Sequence, residues 1–276
     1  MRIAVTGASG GVGTALRERA PAEHDLVWLS RTDLPVDDAT AVDRLAAVRP
    51  DVILHLAAMT SVDGCERDPE AAFRVNALGS AHVALAGRRA GAVVVALSTD
   101  YVFDGLKGAP YHEYDRVGPL SVYGASKLAG EREVRALAPE HLIVRTSWVF
   151  GSEGDFVSGA IRSLAGGDET GAVTDLYGTP TYAPNLAERL VPLAASGARG
   201  LVHLAGSERT TIFDLLARAR DLGGLPGGLV EQKSDDLGRP APRPRDSSLA
   251  SLVLPGTGVP PMPPLDDAIR DLLERR

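Results

Sequence analysis

The sequence predicts an α/β fold, a doubly wound parallel sheet with a smaller C-terminal lobe. Short apolar segments alternate with helical segments through the first half of the chain, which is the pattern of parallel strands joined by helical crossovers. A glycine-rich turn directly follows the first apolar segment. Beyond residue 150 the pattern changes to turns and short elements rich in glycine and proline. We therefore place a sheet domain at 1–150 and a smaller lobe at 151–276, with a later strand near 201–206 joining the sheet.

The individual elements follow from the apolar pattern. Strands are predicted where short buried-type runs occur, and helices where longer amphipathic stretches lie between them. The predicted strands are 2–6, 25–29, 51–56, 92–97, 141–145 and 201–205, and the main predicted helices are the stretch up to 20, 69–90 and 121–137. Because the carboxyl ends of parallel strands meet at one edge, ligands are expected at that edge.

Composition narrows the class of protein. The chain has 276 residues, of which 44% are hydrophobic, enough for a large core. A net charge of −7 argues against nucleic acid or an anionic membrane as a bulk partner. The N-terminus runs straight into a strand and no apolar run approaches about 18 residues, so we expect neither a signal peptide nor a membrane span. The single cysteine, Cys65, fits a reducing cytoplasm, and the scattered histidines predict no metal site.

The glycine-rich turn has the spacing Gly-x-x-Gly-x-x-Gly between a strand and a helix. Gly7 permits a tight turn, Gly10 allows a pyrophosphate to approach the backbone, and Gly13 allows close packing of helix on strand. The helix start supplies amide donors to the phosphates. This predicts a Rossmann-like NAD(P) site whose turn comprises Gly7, Ser9, Gly10, Gly11, Val12 and Gly13.

The end of the second strand predicts which dinucleotide binds. NAD-binding proteins place an acidic residue there to hold the ribose 2′-hydroxyl, whereas this chain has Ser30 and Arg31. A hydroxyl and a guanidinium suit a 2′-phosphate better. We therefore expect NADPH, with NADH as the alternative. Asp33 and Leu34 are expected to line the adenine site.

A tyrosine and a lysine four residues apart predict the chemistry. Tyr123 and Lys127 would lie on one face of a helix. We expect the ammonium of Lys127 to lower the pKa of Tyr123 and so to prepare the hydroxyl for acid–base catalysis. Thr99 and Asp100 follow the strand that precedes this helix, and Trp148 follows the next strand. All of these positions lie at the same predicted sheet edge as the glycine-rich turn.

Five segments of the sequence resemble those of a known family. The segments TGASGGVG (6–13), STDYVFDG (98–105), PLSVYGASKLAGE (119–131), HLIVRTSWVFG (141–151) and RPRDSSL (243–249) resemble the extended short-chain dehydrogenases/reductases, and more narrowly the dTDP-4-dehydrorhamnose reductase family. The resemblance implies reduction, by NADPH or NADH, of the C4 keto group of a nucleotide-linked 4-keto-6-deoxy sugar. It also implies that dTDP is the nucleotide.

The resemblance also implies roles for individual residues. Tyr123 would protonate the C4 oxygen. Lys127 would lower the pKa of Tyr123 and bind the nicotinamide ribose, and Thr99 would donate a hydrogen bond to the carbonyl oxygen. Asp100, Trp148 and Arg243 would contact substrate. The residues that would flank the cofactor are Ala57, Ala58, Met59, Thr60 and Leu97.

Several alternatives stay open. The family includes an accessory subunit of methionine adenosyltransferase, so a regulatory cofactor-binding subunit is a second reading. An epimerase or dehydratase is a third, although Asp100 is not followed by the glutamate of the dehydratase pattern. Asp246 stands where relatives often carry an asparagine, and Ser248 where some carry an arginine, so the sequence leaves the identity of the sugar open. The sequence is compatible with a rhamnose pathway and with a sugar pathway of secondary metabolism. A homodimer is one open arrangement.

Overall fold

The computed structural model describes residues 1–275 and confirms the predicted α/β fold. The strands are β1 (Arg2–Thr6), β2 (Asp25–Leu29), β3 (Val52–His55), β4 (Val93–Thr99), β5 (His141–Thr146), β6 (Val149–Phe150), β7 (Thr170–Val173), β8 (Tyr177–Gly178), β9 (Thr181–Tyr182), β10 (Gly200–His203), β11 (Thr210–Thr211) and β12 (Leu229–Gln232). The α-helices are α1 (Gly11–Arg19), α2 (Ala41–Ala47), α3 (Val62–Arg67), α4 (Pro69–Phe73), α5 (Gly79–Ala90), α6 (Val122–Leu137), α7 (Phe156–Gly166), α8 (Ala183–Ala195), α9 (Ile212–Gly223) and α10 (Leu265–Glu274).

The main sheet has six strands in the order β10-β5-β4-β3-β1-β2, and every neighbouring pair is parallel. From β1 the chain first moves outward to β2 and then returns to the other side of β1 to form β3. The strand order therefore reverses between β1 and β3, and a crevice opens above their carboxyl ends at such a reversal.

Alternation along the strands builds two hydrophobic layers. In β1, Ile3 and Val5 face one side of the sheet, and Ala4 faces the other. Helices α1 and α8 cover the first side, whereas α2, α5 and α6 cover the second. Because both faces are covered, the central strands consist of continuous apolar runs, as buried parallel strands require.

The smaller lobe has its own apolar cluster, in which α7, α9 and α10 pack against β7 and against Phe150 and Tyr182. Three two-stranded sheets pair β6 with β9, β7 with β12 and β8 with β11. The chain does not stay in this lobe after residue 150, since α8 and β10 return to the main sheet.

The segment predicted as one helix over 69–90 is helical throughout but irregular in the middle. A π-helical turn, Arg74–Leu78, lies between α4 and α5. Such turns displace the helix locally and are frequent at functional sites. Here the turn carries Asn76, whose side chain is buried.

Among residues 1–275, none of the helices has the length and apolar character that crossing a bilayer would require.

Candidate active site

A large cavity lies above the carboxyl ends of β1, β3 and β4, where the strand order reverses. Its volume is about 1010 Å³. Most of the residues predicted for the site line it together: Gly7, Ser9, Gly10, Gly11, Val12, Gly13, Arg31, Leu34, Ala57, Ala58, Met59, Thr60, Leu97, Thr99, Asp100, Tyr123, Lys127 and Trp148. The fold thus brings side chains from more than half the length of the chain to one surface.

The glycine-rich turn forms one wall of this cavity, and its geometry requires glycine. Gly7 has a φ of 70°, and a Cβ atom there would lie 2.5 Å from the backbone nitrogen of Ala57. A Cβ on Gly11, the first residue of α1, would lie 2.6 Å from the Ser152 Oγ. With no side chain on Gly11, the backbone at the start of α1 is exposed beside the Ser152 hydroxyl. Since the first turn of α1 carries no acidic side chain, its amides suit an anionic pyrophosphate.

Tyr123 and Lys127 form the opposite wall, on the first turns of α6. Ser121 caps this helix by accepting a hydrogen bond from the Gly124 backbone N–H at 3.2 Å. The ring of Tyr123 meets that of Tyr101 edge-on, with 5.7 Å between ring centroids. The Lys127 Nζ donates a hydrogen bond to the carbonyl oxygen of Leu97 at 2.8 Å, which connects α6 to the carboxyl end of β4.

The protonation of this pair differs from the sequence-based expectation. Burial raises the pKa of Tyr123, and the hydroxyl of Thr99 only partly offsets this. Burial also lowers the pKa of Lys127 to about 8. The expectation that Tyr123 has a lowered pKa is therefore wrong for this arrangement, because desolvation of the phenol is the dominant effect and raises that pKa. At neutral pH Tyr123 keeps its proton and Lys127 keeps its charge.

Thr99 and Asp100 stand at the end of β4. Thr99 Oγ1 donates to Asp100 Oδ1 at 3.0 Å and accepts from the Tyr101 backbone N–H at 3.2 Å. Ser147 Oγ and Ser247 Oγ donate to the other carboxylate oxygen of Asp100 at 3.0 and 2.5 Å. Asp100 lines the cavity, yet its oxygens are engaged by hydroxyls from three parts of the chain. Its hydrogen bonds therefore join β4, the turn after β5 and the C-terminal segment.

Trp148 lines the cavity from the turn after β5 with a strained backbone. Its φ of 43° lies in the left-handed region, which is unfavourable for a bulky side chain. The indole packs so closely on Gly178 that a Cβ there would lie 2.3 Å from it. The smaller lobe thus holds Trp148 in an orientation that the local backbone alone would not favour.

Three predicted site residues do not line the cavity. Ser30 donates from its backbone N–H and its hydroxyl to Asp33 Oδ2, at 2.9 and 2.5 Å, so these two residues form a local turn behind Arg31. Arg243 is 11% exposed and pairs with Asp63, with 3.0 Å between Nη2 and Oδ2. The segment around Arg243 is thereby fastened to α3.

Sequence analysis missed other residues that the fold places at the site. Asn76 accepts from the Met59 N–H at 2.8 Å and donates to the Met59 carbonyl at 3.0 Å and to Ser126 Oγ at 2.9 Å, so it fixes the loop after β3 against α6. Tyr101 and Ser152 also line the cavity. Tyr101 lies inside the recognised segment 98–105 and Ser152 directly follows the segment 141–151, whereas Asn76 carries no local signal because its role depends on the π-helical turn.

Comparison with known proteins identifies the family. The family model for the RmlD substrate binding domain matches residues 1–276. The chain belongs to this family. It is 40% identical over 259 residues to dTDP-4-dehydrorhamnose reductase from Mycobacterium tuberculosis, covering 91% of this chain and 85% of that protein. It is 36% identical to a probable dTDP-4,6-dihydroxy-2-methyloxan-3-one 4-ketoreductase from Streptomyces antibioticus, covering 98% of this chain and 94% of that protein.

Solved structures of the family have the same fold. The structure of dTDP-4-dehydrorhamnose reductase from Bacillus anthracis in complex with NADP matches with a TM-score of 0.95 at 30% identity. The match covers 100% of this chain and 99% of that one. The resemblance that the sequence segments carry is therefore confirmed over the whole length of the chain.

The environment of Asp100 predicts a pH dependence of stability. Burial raises the pKa of Asp100 to about 6, although its hydroxyl partners oppose this. The folded protein then binds a proton more tightly than the unfolded chain, so this group loses stabilising effect as the pH rises from about 4 to about 6. Relative to Asp100→Asn, which cannot titrate, the wild-type free energy of unfolding should fall by about 1–3 kcal/mol between pH 4 and pH 7.

Urea unfolding at several pH values measures this difference. Asp236→Asn, at an exposed carboxylate outside the cavity, serves as the matched control. Because it retains Asp100, the difference in free energy of unfolding between it and the wild type should stay constant with pH. A difference between wild type and Asp100→Asn that is constant over this pH range would contradict the assignment.

Proposed function

We propose that this protein transfers a hydride from NADPH to the C4 keto group of a nucleotide-linked 4-keto-6-deoxy sugar, with dTDP as the nucleotide. The observation that carries this proposal is that Thr99, Tyr123 and Lys127 line the same cavity as the glycine-rich turn. The names of the relatives support the substrate class. In this proposal, 1–150 hold the cofactor and 151–276 hold the sugar nucleotide. Assembly as a homodimer and location in the cytoplasm stay predictions.

The residues fit the cofactor that the proposal requires. NADPH, when bound, supplies the hydride. The start of α1, beside Ser152, would hold its pyrophosphate, and Ala57 to Thr60 would flank it. Arg31 is exposed at the rim and lines the cavity, where it would meet a 2′-phosphate. Asp33 does not compete for that position, because its carboxylate is turned toward Ser30.

Reduction of a ketone needs a proton at oxygen as well as a hydride at carbon. The raised pKa of Tyr123 keeps its hydroxyl protonated until negative charge develops on the C4 oxygen, and an alkoxide is basic enough to take that proton. The Thr99 hydroxyl lies beside Tyr123 and would donate a hydrogen bond to the same oxygen in place of the one it donates to Asp100. The charge of Lys127 would then stabilise the phenolate that remains.

The cavity favours the reductase over the alternatives. A regulatory subunit would need to bind cofactor only, whereas here the three acid–base groups converge on the cavity that holds the glycine-rich turn. A dehydratase would place a carboxylate after Asp100, but the residue there is Tyr101, which packs edge-on against Tyr123.

The diphosphate of the substrate requires positive charge near the cavity. We assign this role to Arg243 and extend it to Arg239. The fields of both arginines act on Tyr101, a cavity residue, and lower its pKa against the effect of burial. Arg243 pairs with Asp63, and the field of the same carboxylate also acts on Arg239, so two guanidinium groups share one carboxylate. Arg239 thus brings a net positive charge to this side of the site.

Replacing the proton donor tests the reductase directly. Tyr123→Phe should lower kcat by about 10²–10⁴-fold, because the C4 oxygen loses its acid, with little change in NADPH affinity. The assay follows oxidation of NADPH with a dTDP-4-keto-6-deoxy sugar. Tyr114→Phe, at a tyrosine that is 81% exposed, is the control and should retain wild-type turnover. Near-normal turnover by Tyr123→Phe would remove the assignment, and no turnover by the wild type with any such sugar would remove the function.

Removing the guanidinium at the cavity rim tests the cofactor preference. Arg31→Ala should weaken NADPH binding by about 1.5–3 kcal/mol, the scale of a charge-assisted hydrogen bond, and leave NADH binding nearly unchanged. Fluorescence titration of both cofactors measures this. Arg132→Ala removes an exposed arginine that does not line the cavity and should change neither affinity. Equal losses for NADPH and NADH in Arg31→Ala would contradict a role in reading the 2′-phosphate.

Substitution of the two arginines tests recognition of the diphosphate. Arg239→Ala and Arg243→Ala should each raise KM for the sugar nucleotide and weaken binding of free dTDP, with a smaller effect on kcat. Arg243→Ala should also lower the melting temperature, because it leaves Asp63 without its partner. Isothermal titration with dTDP measures the affinity, and Arg245→Ala, which removes a 60% exposed side chain paired with Asp175 and Asp235, is the control. Absence of dTDP binding to the wild type at millimolar concentration would overturn the sugar-nucleotide substrate.

A further inference from the structure

A buried ion pair lies directly behind the cavity. Arg145 Nε and Nη2 donate to the two carboxylate oxygens of Glu131 at 2.8 and 2.7 Å, and both side chains are only 2% exposed. Burying two charges is costly, and apolar residues of similar volume often stabilise a protein as well or better. The pair therefore calls for a role other than stability.

Glu131 joins three elements that carry the proposed catalytic groups. It lies one helical turn after Lys127 on α6. It accepts a hydrogen bond from Ser98 Oγ at 2.6 Å, and Ser98 stands between Leu97, which accepts from Lys127, and Thr99. On β5, Arg145 is in register with Ser98, and the next residue, Thr146, lines the cavity. One carboxylate thus connects the helix that carries Lys127, the strand end that carries Thr99, and β5.

Glu131 also governs the charge around Lys127. Burial opposes ionisation of Glu131, but Arg145 and Ser98 hold its pKa below the usual value, so it is charged at neutral pH. Its negative charge raises the pKa of Lys127 against the effect of burial.

The other ionisable groups around Lys127 differ in their charge. His55 on β3 is neutral because burial, with Lys127, lowers its pKa to about 3. Tyr123 and Cys65 are neutral because burial raises their pKa values, whereas Asp100 titrates near pH 6. The carboxylate that acts directly on the pKa of Lys127 is that of Glu131.

We propose that Glu131 and Arg145 are positioning residues for the reduction: together they hold Lys127 and Thr99 at their working distance and balance the charge beside Lys127. This inference rests on the proposed function, because it concerns the same catalytic groups. Neither residue lines the cavity, so both act through Lys127 and Thr99 rather than on the substrate.

Three variants separate position from charge. Glu131→Gln keeps the shape of the side chain but leaves the charge of Arg145 unbalanced near Lys127. Arg145→Met removes the partner, and the double variant Glu131→Gln/Arg145→Met removes both charges. Arg135→Gln is the matched control, because Arg135 contacts the same carboxylate at 3.3 Å but is 39% exposed. The guanidinium of Arg135 is well solvated and its contact is long, so the pair contributes little and this control should behave as wild type.

We expect kcat of Glu131→Gln to fall by about 10²-fold with KM for the sugar nucleotide little changed, since misplaced catalytic groups cost rate rather than binding. The alkaline limb of the pH profile of kcat, where the rate falls as Lys127 loses its proton, should also change. In Glu131→Gln this limb should move to lower pH by about one unit or more, because Lys127 loses the charge that favours its ammonium form. In the double variant, the alkaline limb should return toward the wild-type position while kcat stays low. A purely structural role would not produce this return.

Two results would overturn the proposal: an alkaline limb that does not move in Glu131→Gln, or one that stays equally displaced in the double variant. Circular dichroism and melting curves check the fold of each variant. If Glu131→Gln does not fold, the double variant, which buries no unpaired charge, decides the point, and wild-type kcat in it would overturn the positioning role.

A second measurement does not depend on the sugar substrate. Affinity for NADPH, followed by fluorescence against pH, reports on Lys127 through its proposed contact with the nicotinamide ribose. In Glu131→Gln this affinity should decline at lower pH than in the wild type. If the wild type binds NADPH but reduces no nucleotide sugar, the proposed function fails, whereas the shift in the binding profile still tests the pair. If the wild type turns over normally but the pH profile of NADPH affinity is unshifted in Glu131→Gln, the positioning role of Glu131 and Arg145 is rejected and the proposed function is not.

Discussion

The close packing of α6 against the end of β4 is the constraint on which the site depends. A Cβ atom on Gly124 would lie 2.1 Å from the carbonyl oxygen of Tyr101, and one on Gly130 would lie 2.3 Å from that of Asn76. Only glycine permits the helix to come this near to the strand end and to the π-helical turn. This approach lets Lys127 reach the Leu97 carbonyl and places Tyr123 beside Thr99. A larger residue at either glycine would move Tyr123 and Lys127 away from Thr99 and Leu97.

Two buried carboxylates near this contact differ in pKa because their partners differ. Glu131 meets a guanidinium, which keeps its pKa low despite burial. Asp100 meets only hydroxyl groups, and burial raises its pKa to about 6. Hydroxyl donors favour a carboxylate less than a full positive charge does. The fold therefore keeps a fixed negative charge behind Lys127 and a titratable group where the C-terminal segment meets the end of β4.

Much of the fold and part of the site could be predicted from sequence because their signals are local. The apolar runs of β1, β3, β4 and β5 identify buried parallel strands, and the spacing of Tyr123 and Lys127 places both on one helical face. What the sequence could not show is long-range. Arg243 resembles a free cation in sequence, but it pairs with Asp63, which is 180 residues away. The turn of Ser30 onto Asp33 is short-range, yet nothing in the residue types shows whether Asp33 faces the cofactor or the backbone.

The sequence by itself determined the α/β class, the glycine-rich turn and the candidate acid–base residues, because periodicity and residue type decide these within a few positions. Only the tertiary structure decided the charge state of those residues. The pKa of Tyr123 depends on how completely water is excluded, and that of Lys127 depends on Glu131 and, through it, on Arg145 of another strand. Desolvation and charge pairing act between segments that are distant in sequence, so they exist only once the chain has folded.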